Sequence, residues 1–354
     1  MKFNRDIITL SIKLAKKLFR TNPVFRYFVL TVFYLFIAIC LFSIWEIYIP
    51  RSHASNHTIT YTAQKGQGDD EIAKDLEDLG IIKSNYFFRF YVVSTFQHSR
   101  LQAGKYILSS NMSVFQIVKK MVSGDVLKQK ITILGGWDLS DIEKYLADQE
   151  VLSGEDFRKF ADTDFSKKFD FLADKPKDVS LEGYLFPDTY QIYEGEGGEE
   201  IFENILANFN KKITPEIKDK IISQKKTLFE VITVASLLEK EVKSLNDKKT
   251  VAGIIYKRME LGMPLQIDAT INYITGKNDP GASLKDIKIN SPYNTYKFTG
   301  LPKGPISNPG IDSILAAISP KETAYLYYLS SASGQTIFSR TMAEHSAAIA
   351  KYLR

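Results

Sequence analysis

The sequence predicts an α+β protein. It reads as a single N-terminal transmembrane helix, then β/α units, then a mainly helical, loop-rich domain with a small C-terminal sheet. Three observations predict this. An uncharged apolar run begins at residue 27, a strand, glycine turn and helix pattern occurs twice, and apolar stripes of helical period fill most of the chain after residue 198. At 354 residues there is room for an anchor and roughly two or three domains of ~100–200 residues.

The basic tail comes first, at 1–26. Lys2, Arg5, Lys13, Lys16, Lys17, Arg20 and Arg26 stand there against Asp6 alone, although the whole chain carries only +5. The remainder is therefore near neutral, and the charge signals orientation and gives no reason to expect nucleic acid. Residues 27–45 carry no charge, and the run stays apolar to 49 with Glu46 as its interruption, enough to cross a ~30 Å hydrocarbon core as a helix. A cleaved signal peptide would have a shorter apolar core and a small-x-small exit. The span is therefore 27–49, with the basic flank in the cytoplasm, everything after Pro50 outside, and Trp45 and Tyr48 at the outer interface. Cys40, the single cysteine, lies inside the span, so the exported part has no disulfide.

After a polar linker at 50–58, a pattern repeats. Ile72, Leu76, Ile82 and Phe87 recur as Ile142, Leu146, Leu152 and Phe157, each set following a short β-like run (58–63, 130–134) and a glycine turn (Gly66 and Gly68, Gly135 and Gly136). These are two related units, 59–125 and 126–198, the first also containing 101–108 and a helix at 114–122; two unrelated helices of like spacing are the alternative. Residues 181–190, LEGYLFPDTY, form a loop or strand edge because of Pro187. Helices follow at 199–212, 215–224, 228–245 and on to 261, within a last domain at 199–354. Pro, Gly, Asn and Ser dominate 263–310, and a loop region of that length is more often functional than idle. Strands near 324–330 and 336–339 precede a helix capped by Thr341, with Glu344 three residues on.

One carboxylate is out of place. Thr227 and Glu230 have capping-box spacing, so a helix starts there. Leu228, Val231, Ile232, Ala235, Leu238 and Val242 then form one apolar arc; Glu239 falls inside it, while Lys240 and Glu241 point away. Such an acid is either a paired structural group or a general acid kept protonated by desolvation. Periodicity alone leaves both open.

Ala235-Ser-Leu-Leu-Glu-Lys-Glu241 resembles the signature of the endolytic murein transglycosylase (YceG-like) family. Residues 181–190, Arg258 through Gln266 with Asp268 and Thr270, Ser291 through Tyr296, Gly300-Leu-Pro302, Pro305-Ile306, Asn308-Pro-Gly310 and Glu344-His345 follow in family order. The resemblance implies LysM-like glycan-binding folds for the repeat, with 59–125 the glycan-binding region and 199–354 the catalytic domain. It also implies that Glu239 is the catalytic residue. Glu239 would protonate the oxygen joining MurNAc to GlcNAc and then take the proton of the MurNAc 6-hydroxyl as that oxygen closes on C1, giving a 1,6-anhydro ring within nascent strands and terminating their elongation.

A hydrolase would need a second carboxylate about 5 Å away or more. Asp268 and Glu241 are the candidates, Asp268 otherwise serving in substrate binding or loop bracing and Glu241 in an exposed or structural ion pair. Gln266, Thr270, Ser291, Tyr293, Asn294, Thr295 and Tyr296 offer groups for hydrogen bonding and stacking on sugars, or brace their own loop; Glu182 and Tyr184 line the same groove or pack the junction.

Two positions depart from the family pattern. Leu134-Gly-Gly136 stands where a Pro-Glu-Gly is usual, and Thr336 where a His is common. No His/Cys/carboxylate set has metal spacing and no glycine-rich phosphate loop occurs, so no cofactor and no metal are expected. Peptidoglycan strands are the expected substrate and membrane-embedded peptidoglycan synthases the expected partners. The competing readings are a non-catalytic wall-binding scaffold and a muramidase cutting the same bond by hydrolysis.

Overall fold

The computed structural model describes residues 16–17, 19–52, 58–64, 66–193, 196–277, 281–331 and 333–353. Lys2, Arg5, Asp6 and Lys13 of the basic tail and residues 53–57 of the linker lie outside them. Two compact units are present, Met1–Leu127 and Lys128–Arg354.

The first unit opens with the helix Pro23–Tyr48, capped by the Asn22 side chain, which accepts from the Val24 and Phe25 amides. It is the one helix among the described residues long and apolar enough to cross a membrane. A β-α-α-β fold follows. Strand Thr58–Ala63 pairs antiparallel with Gly104–Ser109, Thr58 opposite Ser109 and Ala63 opposite Gly104. Helices Asp69–Asp78 and Asn85–Ser94 lie between these strands, and Val114–Val122 follows with the bounds expected from its periodicity. Ile72, Leu76, Phe88, Val92, Tyr106 and Ile117 fill the core.

The second unit begins with the same order. Lys128–Thr132 pairs antiparallel with Thr189–Tyr193, and helices Leu139–Asp148 and Gly154–Ala161 come between them. Both copies leave their first helix in the same way: the amides of Ile81 and Ile82 return to the Leu76 carbonyl, and those of Val151 and Leu152 to the Leu146 carbonyl. The turn to the next helix is one residue shorter in the second copy. Ser84 and Ser153 precede these second helices, and their carbonyls accept from Phe88 and Phe157 respectively. The buried counterpart of Phe157 is therefore Phe88 and not Phe87, whose ring meets Phe42.

Beyond these elements come helices Gly198–Lys212, Pro215–Ser223, Leu228–Glu241, Leu245–Glu260 and Ile311–Ile318, the hairpin Tyr327–Ser330 with Thr336–Ser339, and helix Met342–Tyr352, whose cap Thr341 accepts from the Glu344 amide. One core runs from Ile131 to Ile318, so segments 126–198 and 199–354 share it. The helix expected over 228–245 stops at Glu241, because Val242 turns extended and Ser244 caps a new helix by accepting from the Asp247 amide. Within the loop-rich stretch a further helix forms, Asp268–Thr275, ended by Gly276 at φ 66°.

Helix Leu228–Glu241 is the centre of the unit. Thr227 Oγ1 accepts from the Glu230 amide at 3.1 Å and Glu230 Oε2 from the Thr227 amide at 2.8 Å, the expected capping box. Residues 231–238 are buried on every side, as in a helix enclosed by its own protein. The loop 181–190 packs over it: Gly183, at φ +87°, has no room for a β-carbon, which would meet Ile232 and Pro305 at 2.7 Å.

Candidate active site

Glu239 ends the enclosed stretch of the central helix with its carboxylate reaching three donors. Lys248 Nζ lies 3.0 Å from Oε2, the Ser313 hydroxyl 2.5 Å and the Gly310 amide 3.2 Å. Lys248 and Ser313 are buried, and the Glu239 side chain keeps only 16% of its exposure. The Lys248 ammonium comes from helix Leu245–Glu260, and the other two donors come from the first turn of Ile311–Ile318 and the glycine before it. Oε2 is thus fixed from two helices.

The other oxygen is left open. Oε1 has no hydrogen-bond partner among the described residues, and it faces Gly135, where an added β-carbon would stand 2.8 Å away. Lys240, one residue on, donates to the Gly136 carbonyl at 3.1 Å and holds this glycine turn in place. Asn308 fastens the turn from the other side: its carbonyl accepts from the Gly136 amide at 3.0 Å, and its side-chain amide donates to the Trp137 carbonyl at 3.0 Å. With no side chain at 135, that residue presents only backbone to Oε1. The apolar arc left open whether this acid is paired; it is ion-paired, because the stripe of the neighbouring helix carries Lys248.

A cleft of about 650 Å³ is lined by Glu182, Lys240, Tyr273, Asn272, Ser291 and Tyr293 among others; Glu239 is not one of its lining residues, and its chain neighbour Lys240 is. Glu182 is 1% exposed. Its Oε2 accepts from the Leu139 amide at the start of a helix and its Oε1 from the Asn308 side chain, both at 3.0 Å. Burial, helped by the charge of Asp138, pushes its carboxyl up to about 8, while the Leu139 and Gly183 amides and the Tyr273 hydroxyl pull the other way. The Tyr273 and Tyr293 rings sit 5.0 Å apart at the same wall.

A second acidic group gathers at the same end of the central helix, around its last residue, Glu241. Asp268 accepts from the Tyr296 hydroxyl at 2.5 Å. Burial first, then the Asp268 charge, pushes the Glu241 carboxyl up to about 7, while the Tyr328 hydroxyl and the Ala269 amide pull the other way. Arg258 is buried nearby, its guanidinium donating to the carbonyls of Leu326, Pro264 and Leu265 and lying over the Tyr327 ring. Glu241 forms no ion pair among the described residues. Partly buried, it sits in this tyrosine cluster and not in the exposed or structural ion pair expected for it.

The remaining expected residues divide. Ser291, Tyr293 and Glu182 line the cleft. Thr270, Asn294 and Thr295 are buried and spend their polar atoms on each other and on nearby backbone: Asn294 donates to the Ile287 and Ile289 carbonyls, Thr295 accepts from the Ile267 amide, and the Thr270 and Thr295 hydroxyls share a bond. These three brace the loop. Tyr184 is fully buried against Phe171 and Phe209, a core residue. Gln266 is exposed, in a left-handed backbone at φ 51°. Thr336 donates to Asp247 at 3.1 Å, and His345 stacks on Tyr327. Sequence reasoning did not single out Lys248, Ser313, Lys240 or Tyr273 as site residues. No group of three His, Cys, Asp or Glu among the described residues is disposed to hold a metal ion.

Fold and site together define a protein with an apolar N-terminal helix, a repeated β-α-α-β element and a helical unit with one ion-paired carboxylate and a polar cleft that the next residue, Lys240, helps to line. The chain belongs to the YceG-like family, whose model matches residues 61–351. A Bacillus subtilis (strain 168) protein named endolytic murein transglycosylase is 33% identical over 320 residues, 86% of this chain and 87% of that one. A Streptococcus pneumoniae (strain D39) protein of the same name is 31% identical over 333 residues, and the match spans 60% of its length. The crystal structure of a yceG-like protein from Listeria monocytogenes superposes with a TM-score of 0.56 at 33% identity, covering 83% of this chain and all of that one.

Proposed function

We propose that this chain is a membrane-anchored endolytic murein transglycosylase, with Glu239 as its one catalytic acid/base. The observation that carries the reading is the asymmetry of the Glu239 carboxylate. Oε2 is held by Lys248, Ser313 and Gly310, and Oε1 faces the side-chain-free Gly135. The names of the Bacillus and Streptococcus relatives support the substrate class.

In this reading Oε1 delivers a proton to the oxygen between MurNAc and GlcNAc, and that C–O bond breaks as an oxocarbenium-like centre develops at C1. The same oxygen then removes the proton of the MurNAc 6-hydroxyl while O6 bonds to C1. The acid ends as it began, no water is consumed, and a 1,6-anhydro end results. Holding Oε2 fixed lets one oxygen serve both steps without the side chain moving, which is the value of a preorganised group.

Helix Pro23–Tyr48 is the span, with the tail cytoplasmic and the catalytic unit outside, beside membrane-embedded synthases and their nascent strands. The two β-α-α-β copies are LysM-like elements. The first, within 59–125, binds glycan, and the second carries the glycine turn at Glu239. The cleft of Glu182, Tyr273, Ser291 and Tyr293 takes the sugars next to the cut.

The test is to incubate the full chain in detergent with uncrosslinked glycan strands and analyse the products by mass spectrometry. Anhydro ends are expected; reducing ends would make it a muramidase, and no cleavage a scaffold. Glu239→Gln abolishes cleavage, with circular dichroism confirming the fold, because the substitution also removes the negative partner of Lys248.

A further inference from the structure

We propose that helix Asn85–Ser94, with Phe96 just after it, is seated in the lipid headgroup layer beside the exit of the apolar helix, so that the first unit rests on the bilayer. The inference rests on the reading of Pro23–Tyr48 as a membrane span.

The apolar helix sets the depth of its neighbours. The 26-residue helix is ~39 Å long at 1.5 Å per residue. A hydrocarbon core of ~30 Å leaves ~4–5 Å of it protruding at each end. Phe42 lies six residues, ~9 Å, before the last residue, Tyr48, and so ~4–5 Å inside the core boundary. The Phe87 ring meets Phe42 edge-on at 5.6 Å. Tyr48 stacks on Phe115 at 5.6 Å and meets Tyr91 at 6.5 Å, and Lys83 Nζ sits 3.4 Å over the Trp45 ring. The helix is thus pinned to the last two turns of the span, with Phe87 at the level of the acyl chains.

The outward surface of helix Asn85–Ser94 is apolar and aromatic. Phe88 and Val92 face the core of the unit, and Phe87 and Tyr91 face the span. The stripe left over, Tyr86, Phe90 and Val93, is 66%, 48% and 62% exposed. At ~100° per residue it lies about 150° round the helix from the core face, on the side away from the body of the unit. Phe96 continues it, 87% exposed and held at φ 56°, a left-handed backbone that a bulky residue adopts only at a cost. Isolated apolar side chains on a surface are ordinary, whereas a continuous row marks a contact. Arg89, beside the stripe, turns back to pair with Asp70. The stripe adjoins a face already at acyl depth, and aromatic rings suit the boundary between acyl chain and headgroup. The occupant is therefore lipid.

The test uses the full chain with Cys40→Ser, reconstituted in lipid nanodiscs, and a single environment-sensitive fluorophore on a cysteine introduced by Val93→Cys, Phe96→Cys or, within the span, Phe36→Cys. Nitroxide lipids spin-labelled near the headgroup or near the acyl end serve as quenchers, with iodide as the aqueous quencher. A seat ~5–10 Å into the boundary requires that labels at 93 and 96 be quenched about twofold more by the shallow nitroxide than by the deep one, with the label at 36 quenched by the deep one. Labels at 93 and 96 quenched by iodide alone, with 36 still in lipid, overturn the seat and leave the span standing. Labels at 93 and 96 shielded from both lipid and iodide show that a protein covers the stripe, which also overturns it. A label at 36 that no lipid quenches removes the span and this inference together.

Discussion

Replacing Lys248 with Met tests how the site is held. The two side chains of the pair keep 7% and 16% of their exposure, so water screens them poorly. Removing one partner of a buried pair costs ~3–5 kcal/mol, because the remaining charge loses its compensation. Glu239 keeps the Ser313 hydroxyl and the Gly310 amide, and Met fills the volume of the lysine stem, so the lower end, ~3 kcal/mol, is expected. For a unit of this size that lowers Tm by roughly 6–12 °C. The measurement is urea and thermal unfolding of the full chain in detergent, for Lys248→Met, Glu239→Gln and the double variant. A coupling of about 2 kcal/mol between them is expected, since the double variant leaves no buried charge unpaired. Cleavage by Lys248→Met falls at least tenfold, because Oε2 has lost its strongest anchor. Strictly additive single variants, or a Lys248→Met chain within about 0.5 kcal/mol of the parent, would refute the ion-paired site.

Two further outcomes follow from the same geometry. Gly135→Ala places a β-carbon 2.8 Å from Glu239 Oε1, and the carboxylate can swing away from it, so unfolding shifts by less than ~1 kcal/mol while turnover drops tenfold or more; equal loss of both, or of neither, contradicts the role proposed for Oε1. Glu182 titrates near 8 in the folded chain against 4.5 ordinarily, so between those values the folded state holds a proton that the unfolded state has released. Stability therefore falls as pH rises across that window, by up to ~1.4 kcal/mol per unit, with Glu241 adding its share up to about 7. Urea midpoints from pH ~5 to ~8 show this slope, and Glu182→Gln flattens it; an unchanged slope in that variant removes Glu182 as its source.

Glu239 was legible because a carboxylate on an apolar arc is a local contradiction that one helix projection exposes. The same criterion reaches Lys248. It shares a stripe with Val251, Ala252 and Ile255, but the neighbouring Asp247 and Lys249 give the segment the look of a solvated face. Glu241 was misplaced for the converse reason: a projection assumes one wet side, and the central helix has almost none. Asn294 and Thr295 show a different limit, since an amide or hydroxyl that satisfies its own loop is chemically identical to one that meets a sugar. Only the position of the surrounding carbonyls separates the two. The repeat was legible to within one residue because its apolar spacing survives a shortened turn.

The bonds that build the site join distant parts of the chain. Lys240 reaches back 104 residues to Gly136, the Asn308 side chain 171 to Trp137 and 126 to Glu182, and Gly310 71 to Glu239. Closing loops of that length costs entropy before any contact returns it, and contacts of high sequence separation form slowly. Glu239 therefore acquires its surroundings only after the chain through Ser313 is available to fold. A chain still in synthesis or crossing a membrane unfolded has the acid and none of the apparatus, so whatever chemistry the site performs is silent until the whole second unit has assembled.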